Sequence, residues 1–128
     1  MKQEETYIET FFFDSYAIFE IMKGNRNYEK YVNAFIKTTK LNLFELYHGF
    51  LKDSESEKAE AALREYYKFC IDFDKETIKE AAELKIRLNK RNISMTDCIG
   101  YALAKQFGIK FLTGDKEFEN LENVEFVK

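Results

Sequence analysis

Ile93–Glu119 reads ISMTDCIGYALAKQFGIKFLTGDKEFE, and the order of signals in this stretch decides the fold. Ser94 is a helix N-cap with Asp97 three residues on, and Ile99, Ala102, Leu103 and Phe107 recur at helical spacing until Gly108 stops the helix. IKFLT follows as a short buried strand, and Gly114-Asp115 turns the chain out of it. One carboxylate therefore opens a helix and a second leaves the end of the next strand. Helix N-termini and the carboxyl ends of parallel strands share one edge of an α/β sheet, where such folds seat their ligands. Asp97 and Asp115 are expected to face one crevice.

The rest of the chain is consistent with that sheet. Upstream, TFFFD carries Phe11, Phe12 and Phe13 in a continuous apolar run, as in a central strand buried on both faces, and Asp14 ends it. SYAIFEIMKGN is then helical, with Ala17, Ile18, Ile21 and Met22 on one stripe and Gly24 as the C-cap. A second helix is expected from about Asn27 to Phe35, presenting Tyr28, Tyr31, Val32 and Phe35, followed by an extended piece from Ile36 to Lys40. In LNLFELYHGFLKD, Asn42 reads as a cap and Glu45 lies three residues later, repeating the spacing of Ser94 and Asp97.

DSESEKAEAA is a charged loop entering a helix that buries Leu63, Tyr66, Tyr67 and Phe69, and CIDFD is a short edge-strand candidate. KETIKEAAELKIRLNKRN turns Ile78, Ala81, Ala82, Leu84 and Leu88 inward, and NVEFVK suits a closing strand. Strands alternating with one or two helices imply a three-layer α/β fold with a central, mainly parallel sheet of about five strands and helices on both faces. Residues 1–128 are expected to form one domain.

Composition sets the outer limits. A chain of 128 residues, 45% hydrophobic and 16% aromatic, buries roughly two-thirds of its unfolded surface in one core. Cys70 and Cys98 lie inside apolar segments rather than at metal-knuckle spacing, which reads as two reduced thiols and a reducing cytoplasm. The opening MKQEETYIET is acidic, and no apolar run approaches the roughly 18 residues of a membrane span. The expectation is a cytoplasmic protein away from membranes. With a net charge of -3, nucleic-acid binding has to rest on a local patch rather than a global field.

Chemistry concentrates in Asp14, Glu45, Asp97 and Asp115, each at a strand end or in the first turn of the helix after one. Four carboxylates brought to one crevice repel, and protonation or a bound hard cation resolves the conflict. Magnesium or manganese is the natural occupant; a pair of such ions about 3.5 to 4 Å apart would activate water and stabilise a leaving oxygen, and a single ion would also serve. Against this stands ordinary capping, because Asp, Asn and Ser at helix starts and an acid three residues later are common devices for satisfying free N–H groups. Capping explains any one of the four alone. Four segments delivering an acid to one edge is the stronger pattern, and only Asp115 has a basic sequence neighbour, Lys116, to pair with.

These residues resemble the PIN domain family, especially the VapC-type toxin ribonucleases of prokaryotic type II toxin–antitoxin systems. The likeness is carried by DSYAIFEI after a hydrophobic strand, LFELYHGF as the Glu-bearing helix, SMTDCIGYALAKQFGIKFLTGDKEF, and a final short strand, and it covers nearly the whole chain. It implies a metal-dependent endoribonuclease whose acids Asp14, Glu45, Asp97 and Asp115 bind Mg2+ or Mn2+. It also implies that Thr113 orients a metal-bound water and that Glu117 is auxiliary. A homodimer through the early helices, with Tyr28, Tyr31 and Phe35 as candidates, and a small antitoxin reaching the carboxylates with an Arg are implied as partners. The acidic lead-in and modest basicity depart from many such toxins.

Other features weigh less. Lys85, Arg87, Lys90 and Arg91 form a solvated helix end that complements its dipole, with RNA phosphate contact as the functional alternative. His48, one turn after Glu45, reads as structural or interfacial. A response-regulator receiver needs paired acids after strand one and a late Lys-Pro; Asp14 stands alone and the chain has no proline. A haloacid-dehalogenase phosphatase needs a second Asp at position 16, which is Tyr. The remaining alternative is a non-catalytic PIN-like module that docks RNA or protein.

Overall fold

The computed structural model describes residues 8–128, so most of the acidic lead-in lies outside the described residues. Four strands, β1 (Thr10–Phe13), β2 (Phe35–Lys37), β3 (Lys110–Thr113) and β4 (Val124–Phe126), form a wholly parallel sheet in the order β2-β1-β3-β4. Among the described residues five helices cover it: α1 (Ser15–Lys23), α2 (Lys40–Lys52), α3 (Ser56–Tyr66), α4 (Lys75–Arg87) and α5 (Met95–Gln106). The phenylalanine run behaves as a central strand must. Phe11 and Phe13 join Leu112 beneath α1, α2 and α3, whereas Phe12 stacks on Phe111 at 5.7 Å under α4 and α5. Each of the two faces is thus sealed by its own helical layer, the expected three-layer architecture. Gly100 lets α5 approach β1, since a Cβ there would stand 2.6 Å from the Phe12 ring.

The structure differs from expectation in several places, each with a local cause. The expected fifth strand at CIDFD is reduced to a single parallel bridge between Thr38 and Cys70, because the chain proceeds directly to Asp74, the N-cap of α4. The expected helix from Asn27 is a 3-10 segment, Arg26–Tyr31, begun by the Asn25 side chain accepting from Asn27 N. Three residues per turn bring Tyr28 and Tyr31 to one side, and both are buried in the core while Val32 and Phe35 are exposed. Of the expected dimer contacts, therefore, Phe35 alone is accessible, at 57%.

The cap of α2 is Thr39, whose hydroxyl accepts from Asn42 N at 3.2 Å; Asn42 lies inside the first turn, fully buried, and Glu45 falls in the second. In α4 the inward face is Thr77, Ala81 and Leu84, because Thr77 Oγ1 is anchored to Gln106 of α5 at 2.8 Å; Ile78 is left outward and Ala82 is exposed with it. Tyr67 is exposed where α3 tightens into a 3-10 turn, and Phe107 is exposed at the end of α5. Cys98 is buried, Cys70 is half-buried, and both are free thiols. Among the described residues no helix is long and apolar enough to cross a membrane.

Candidate active site

Parallel strands give the sheet one carboxyl edge, and all four acids arrive there by separate routes. Asp14 follows β1, Asp115 follows β3 after Gly114, Asp97 is in the first turn of α5, and Glu45 is in the second turn of α2. At Gly114 a Cβ would run into the Tyr16 ring and the Val127 carbonyl, so the turn presenting Asp115 is packed directly against α1 and the chain end.

Three of the four acids are also caps. Asp14 Oδ1 accepts from Ala17 N at 2.8 Å, Asp97 and Ser94 form a complete capping box (3.2 and 3.1 Å), and Asp115 Oδ1 accepts from Glu117 N at 3.0 Å. Glu45 is not a cap; its Oε1 accepts from the Ser15 hydroxyl at 2.6 Å. A carboxylate offers about four lone-pair sites, so one local bond leaves room for a cation. Lys116, the sequence neighbour that could have neutralised Asp115, forms no ion pair with it. Among the described residues the ion pairs involve Glu20, Glu55, Glu76, Glu122 and Glu125, and none of the four site acids.

The electrostatics separate these acids from an ordinary cap. Asp74, the exposed N-cap of α4, has its carboxyl held below the usual range, chiefly by the Thr77 backbone N–H it accepts from. Asp14 caps α1 in the same way yet is 2% exposed, and its carboxyl is raised well above the usual range. Burial is the main cause, with the Asp97 and Asp115 charges adding to it, against the lowering hydrogen bonds from Thr113 and Ala17. Asp97 is pushed up to about 6, first by burial and then by the charges of Glu45 and Asp115, with the Ser94 bonds opposing. The charges of Asp97 and Asp115 thus bear on Asp14, and those of Glu45 and Asp115 on Asp97.

They do not close on a point. Among the described residues no three His, Cys, Asp or Glu side chains stand where they could hold one ion between them. Glu45, Asp97 and Asp115 are half-buried, and side-chain rotation is needed to converge them. The donor set itself fits a hard divalent cation: all oxygen, anionic and without an ion-pair partner among the described residues. Thr113 is fully buried next to Asp14 and accepts from Asp115 N at 3.0 Å. Glu117 is half-buried one turn beyond Asp115.

The basic residues near the α4 end have separate tasks. Lys85 Nζ donates to the Ile93 carbonyl at 2.8 Å, Arg91 Nη1 donates to the Glu117 carbonyl at 2.6 Å, Arg87 lies in the field of Glu122 and Tyr101, and Lys90 is exposed. Arg91 so ties the α4–α5 loop to the turn carrying Asp115. His48 is exposed and stacked parallel on Phe44 at 6.0 Å. Ser15, Asn42 and Thr39, which connect to Glu45 by hydrogen bonds, were not singled out for the site by sequence reasoning; the one available signal was the hydroxyl directly after Asp14.

A parallel β2-β1-β3-β4 sheet with acids from four segments at its carboxyl edge defines an α/β domain with an acidic carboxyl edge. The PIN domain family model matches residues 11–124, and the chain belongs to the PIN domain family. Sequence comparison with curated proteins returns no match. Among solved structures the fold is similar to VapC20 of Mycobacterium tuberculosis, a toxin that cleaves the sarcin–ricin loop (17% identity, 92% of this chain and 99% of that one, TM-score 0.75). It is also similar to VapBC2 of Rickettsia felis bound to a DNA fragment from its promoter (19%, 93% and 99%, 0.70). A toxin–antitoxin complex from Klebsiella pneumoniae gives 18% identity over 89% of this chain and 94% of that one, with a TM-score of 0.69.

Proposed function

We propose that this protein is a metal-dependent endoribonuclease that hydrolyses RNA phosphodiester bonds, acting as the toxin of a toxin–antitoxin pair. The observation that carries the reading is the set of four carboxylates at one sheet edge, without an ion-pair partner among the described residues. Asp14, Glu45, Asp97 and Asp115 would hold Mg2+ or Mn2+, with Glu117 auxiliary. When bound, such a cation supplies positive charge to the phosphodiester oxygens and lowers the pKa of water. The protein's own part is to hold the acids in place: Thr113 Oγ1 fixes the Asp115 turn by accepting from Asp115 N, and burial raises the Asp14 and Asp97 carboxyls, so a bound cation would favour their ionised forms. RNA phosphates would be met by Lys90 and Arg87, with Lys85 and Arg91 holding the loop between them. We expect cleavage of single-stranded or loop RNA with magnesium or manganese, lost in EDTA and reduced about a hundredfold or more in Asp14→Asn and Asp97→Asn. Undiminished cleavage by both variants would sink the assignment.

A protein partner is supported by an apolar cavity of about 410 Å³ whose walls include Leu41, Phe73, Ile78, Met95 and Cys98. Met95 and Cys98 flank Asp97, so an apolar segment of an antitoxin seated there would end beside the acids, where an Arg has carboxylates to meet. Self-association would use Val32 and Phe35 rather than Tyr28 and Tyr31. Sedimentation of the chain alone and after native capture tests both; a monomer with nothing bound counts against this part and leaves the nuclease reading standing. The alternative of a non-catalytic docking module has no missing acid in its favour.

A further inference from the structure

Glu45 differs from the other three acids in having no backbone N–H to hold it. What holds it is a chain of side chains that begins at the cap of α2. Thr39 Oγ1 accepts from Asn42 N at 3.2 Å, which leaves its own proton for Asn42 Oδ1 at 2.6 Å. Asn42 Nδ2 then donates to Ser15 Oγ at 3.1 Å, and the Ser15 hydroxyl donates to Glu45 Oε1 at 2.6 Å. Direction is fixed by counting protons. A hydroxyl has one, and a reversed Asn42 amide would ask Ser15 to donate to Asn42 and to Glu45 at once. The other acceptor within reach of Ser15 Oγ is the Asn42 backbone carbonyl at 3.5 Å, and the 2.6 Å contact takes the proton to Glu45. Thr39 and Asn42 are fully shielded from solvent, and no buried side-chain nitrogen or oxygen among the described residues lacks a partner. Networks of this kind are stiff because each break strands a buried polar group.

Ser15 is also the residue after Asp14, so this chain is a direct side-chain link between the turn that carries Asp14 and the helix that carries Glu45. We infer that the Thr39–Asn42–Ser15 relay is a positioning device: it tethers the Glu45 carboxylate as an acceptor beside the turn that carries Asp14, against the repulsion of the neighbouring acids. The inference rests on the metal-centre reading proposed above and assigns no contact with substrate to any of the three residues. Hydrogen-bond partners behind a metal ligand typically account for about 10- to 100-fold in metal affinity.

The test uses the whole chain labelled with 13C-glutamate, the Glu45 carboxyl signal being assigned with Glu45→Gln. In EDTA, Ser15→Ala is expected to move the Glu45 signal, Ser15→Thr to leave it near its original position, and Asn42→Leu to move it from a distance without altering Ser15 or Glu45. Titration with manganese followed by calorimetry should show roughly tenfold weaker binding in Ser15→Ala and recovery in Ser15→Thr. A merely structural serine would lower the melting temperature and leave both readouts alone. A Glu45 signal unmoved in Ser15→Ala and Asn42→Leu overturns the relay, and a moved signal with wild-type manganese affinity overturns its positioning role. If the wild type takes up no manganese, the metal reading fails and the relay's purpose with it, an outcome told apart from failure of the relay itself by the metal-free spectra.

Discussion

The starts of α2 and α5 carry one signature in sequence, a polar residue followed three places later by an acid, and the fold uses the two differently. In α5, Ser94 and Asp97 form the reciprocal capping box that the spacing announces, so Asp97 serves the helix and the crevice together. In α2 the helix begins three residues early, at Thr39, and both members of Asn42…Glu45 move inside it. Freed from the backbone, Asn42 turns its amide to Ser15, and Glu45 is fixed by α1 instead of by its own helix. A local motif of this kind states which residues can bond one another, and neighbouring elements decide whether they do. The capping explanation of the acids therefore covers Asp14, Asp97 and Asp115, and it fails at Glu45.

The largest stability effect that separates the two helix starts is at the caps. Thr39→Ala removes an N-cap bond, worth about 1 kcal/mol, and also strands the buried Asn42 Oδ1, which costs about 1–3 kcal/mol more. Ser94 is exposed and its hydroxyl supports only the box, so Ser94→Ala is expected to cost about 1 kcal/mol. Urea midpoints of the two variants in EDTA check the asymmetry. Equal losses would mean that the α2 network is no more cooperative than a surface cap.

The same contrast explains what was legible in the sequence. Three consecutive phenylalanines read as a strand buried on both faces because no other local arrangement hides all three, and Phe11 and Phe13 do part company with Phe12 across the sheet. The α5–β3 unit was readable for the same reason: its cap, stripe and stop are all local, although Phe107, placed on the inward stripe, is exposed. The candidate acids could be named because the carboxyl edge of a parallel sheet follows from connectivity alone. What was not readable depended on a partner. Ile78 was expected inside α4, but Thr77 takes the inward place by bonding to Gln106, some thirty positions away in sequence. The two tyrosines offered for a dimer face are core because a 3-10 turn, rather than an α-helix, stacks them on one side. CIDFD has strand composition but reaches a helix cap too soon to pair beyond one bridge. Ser15 carries no periodic or capping signal that would tie it to Glu45.

The smallest effect is a pH dependence, and its sign distinguishes a shared acidic crevice from independent caps. Asp97 has its folded-state value raised to about 6 against about 3.9 unfolded, so between roughly pH 4 and 6 the folded chain holds the proton that the unfolded chain has released. Stability then falls as pH rises through that window, the loss being complete above it, and Asp14 is shifted in the same direction. An exposed cap such as Asp74, with its carboxyl lowered, gives the opposite slope, contributing stability above the unfolded value and losing it as pH falls. Urea midpoints in EDTA at pH 4.5, 5.5 and 7 are therefore expected to decline across the series in the wild type, by an amount with an upper bound of about 3 kcal/mol for a shift of this size. Asp97→Asn should flatten the decline. Glu45→Gln should displace it toward lower pH, since the Glu45 charge is one of the causes raising Asp97. Manganese, which takes the ionised form, should remove the decline at pH 7 and raise the midpoint there. A wild-type midpoint that climbs steadily from pH 4.5 to 7, unaffected by Glu45→Gln, would show Asp97 acting as Asp74 does, as a cap with no acidic neighbours.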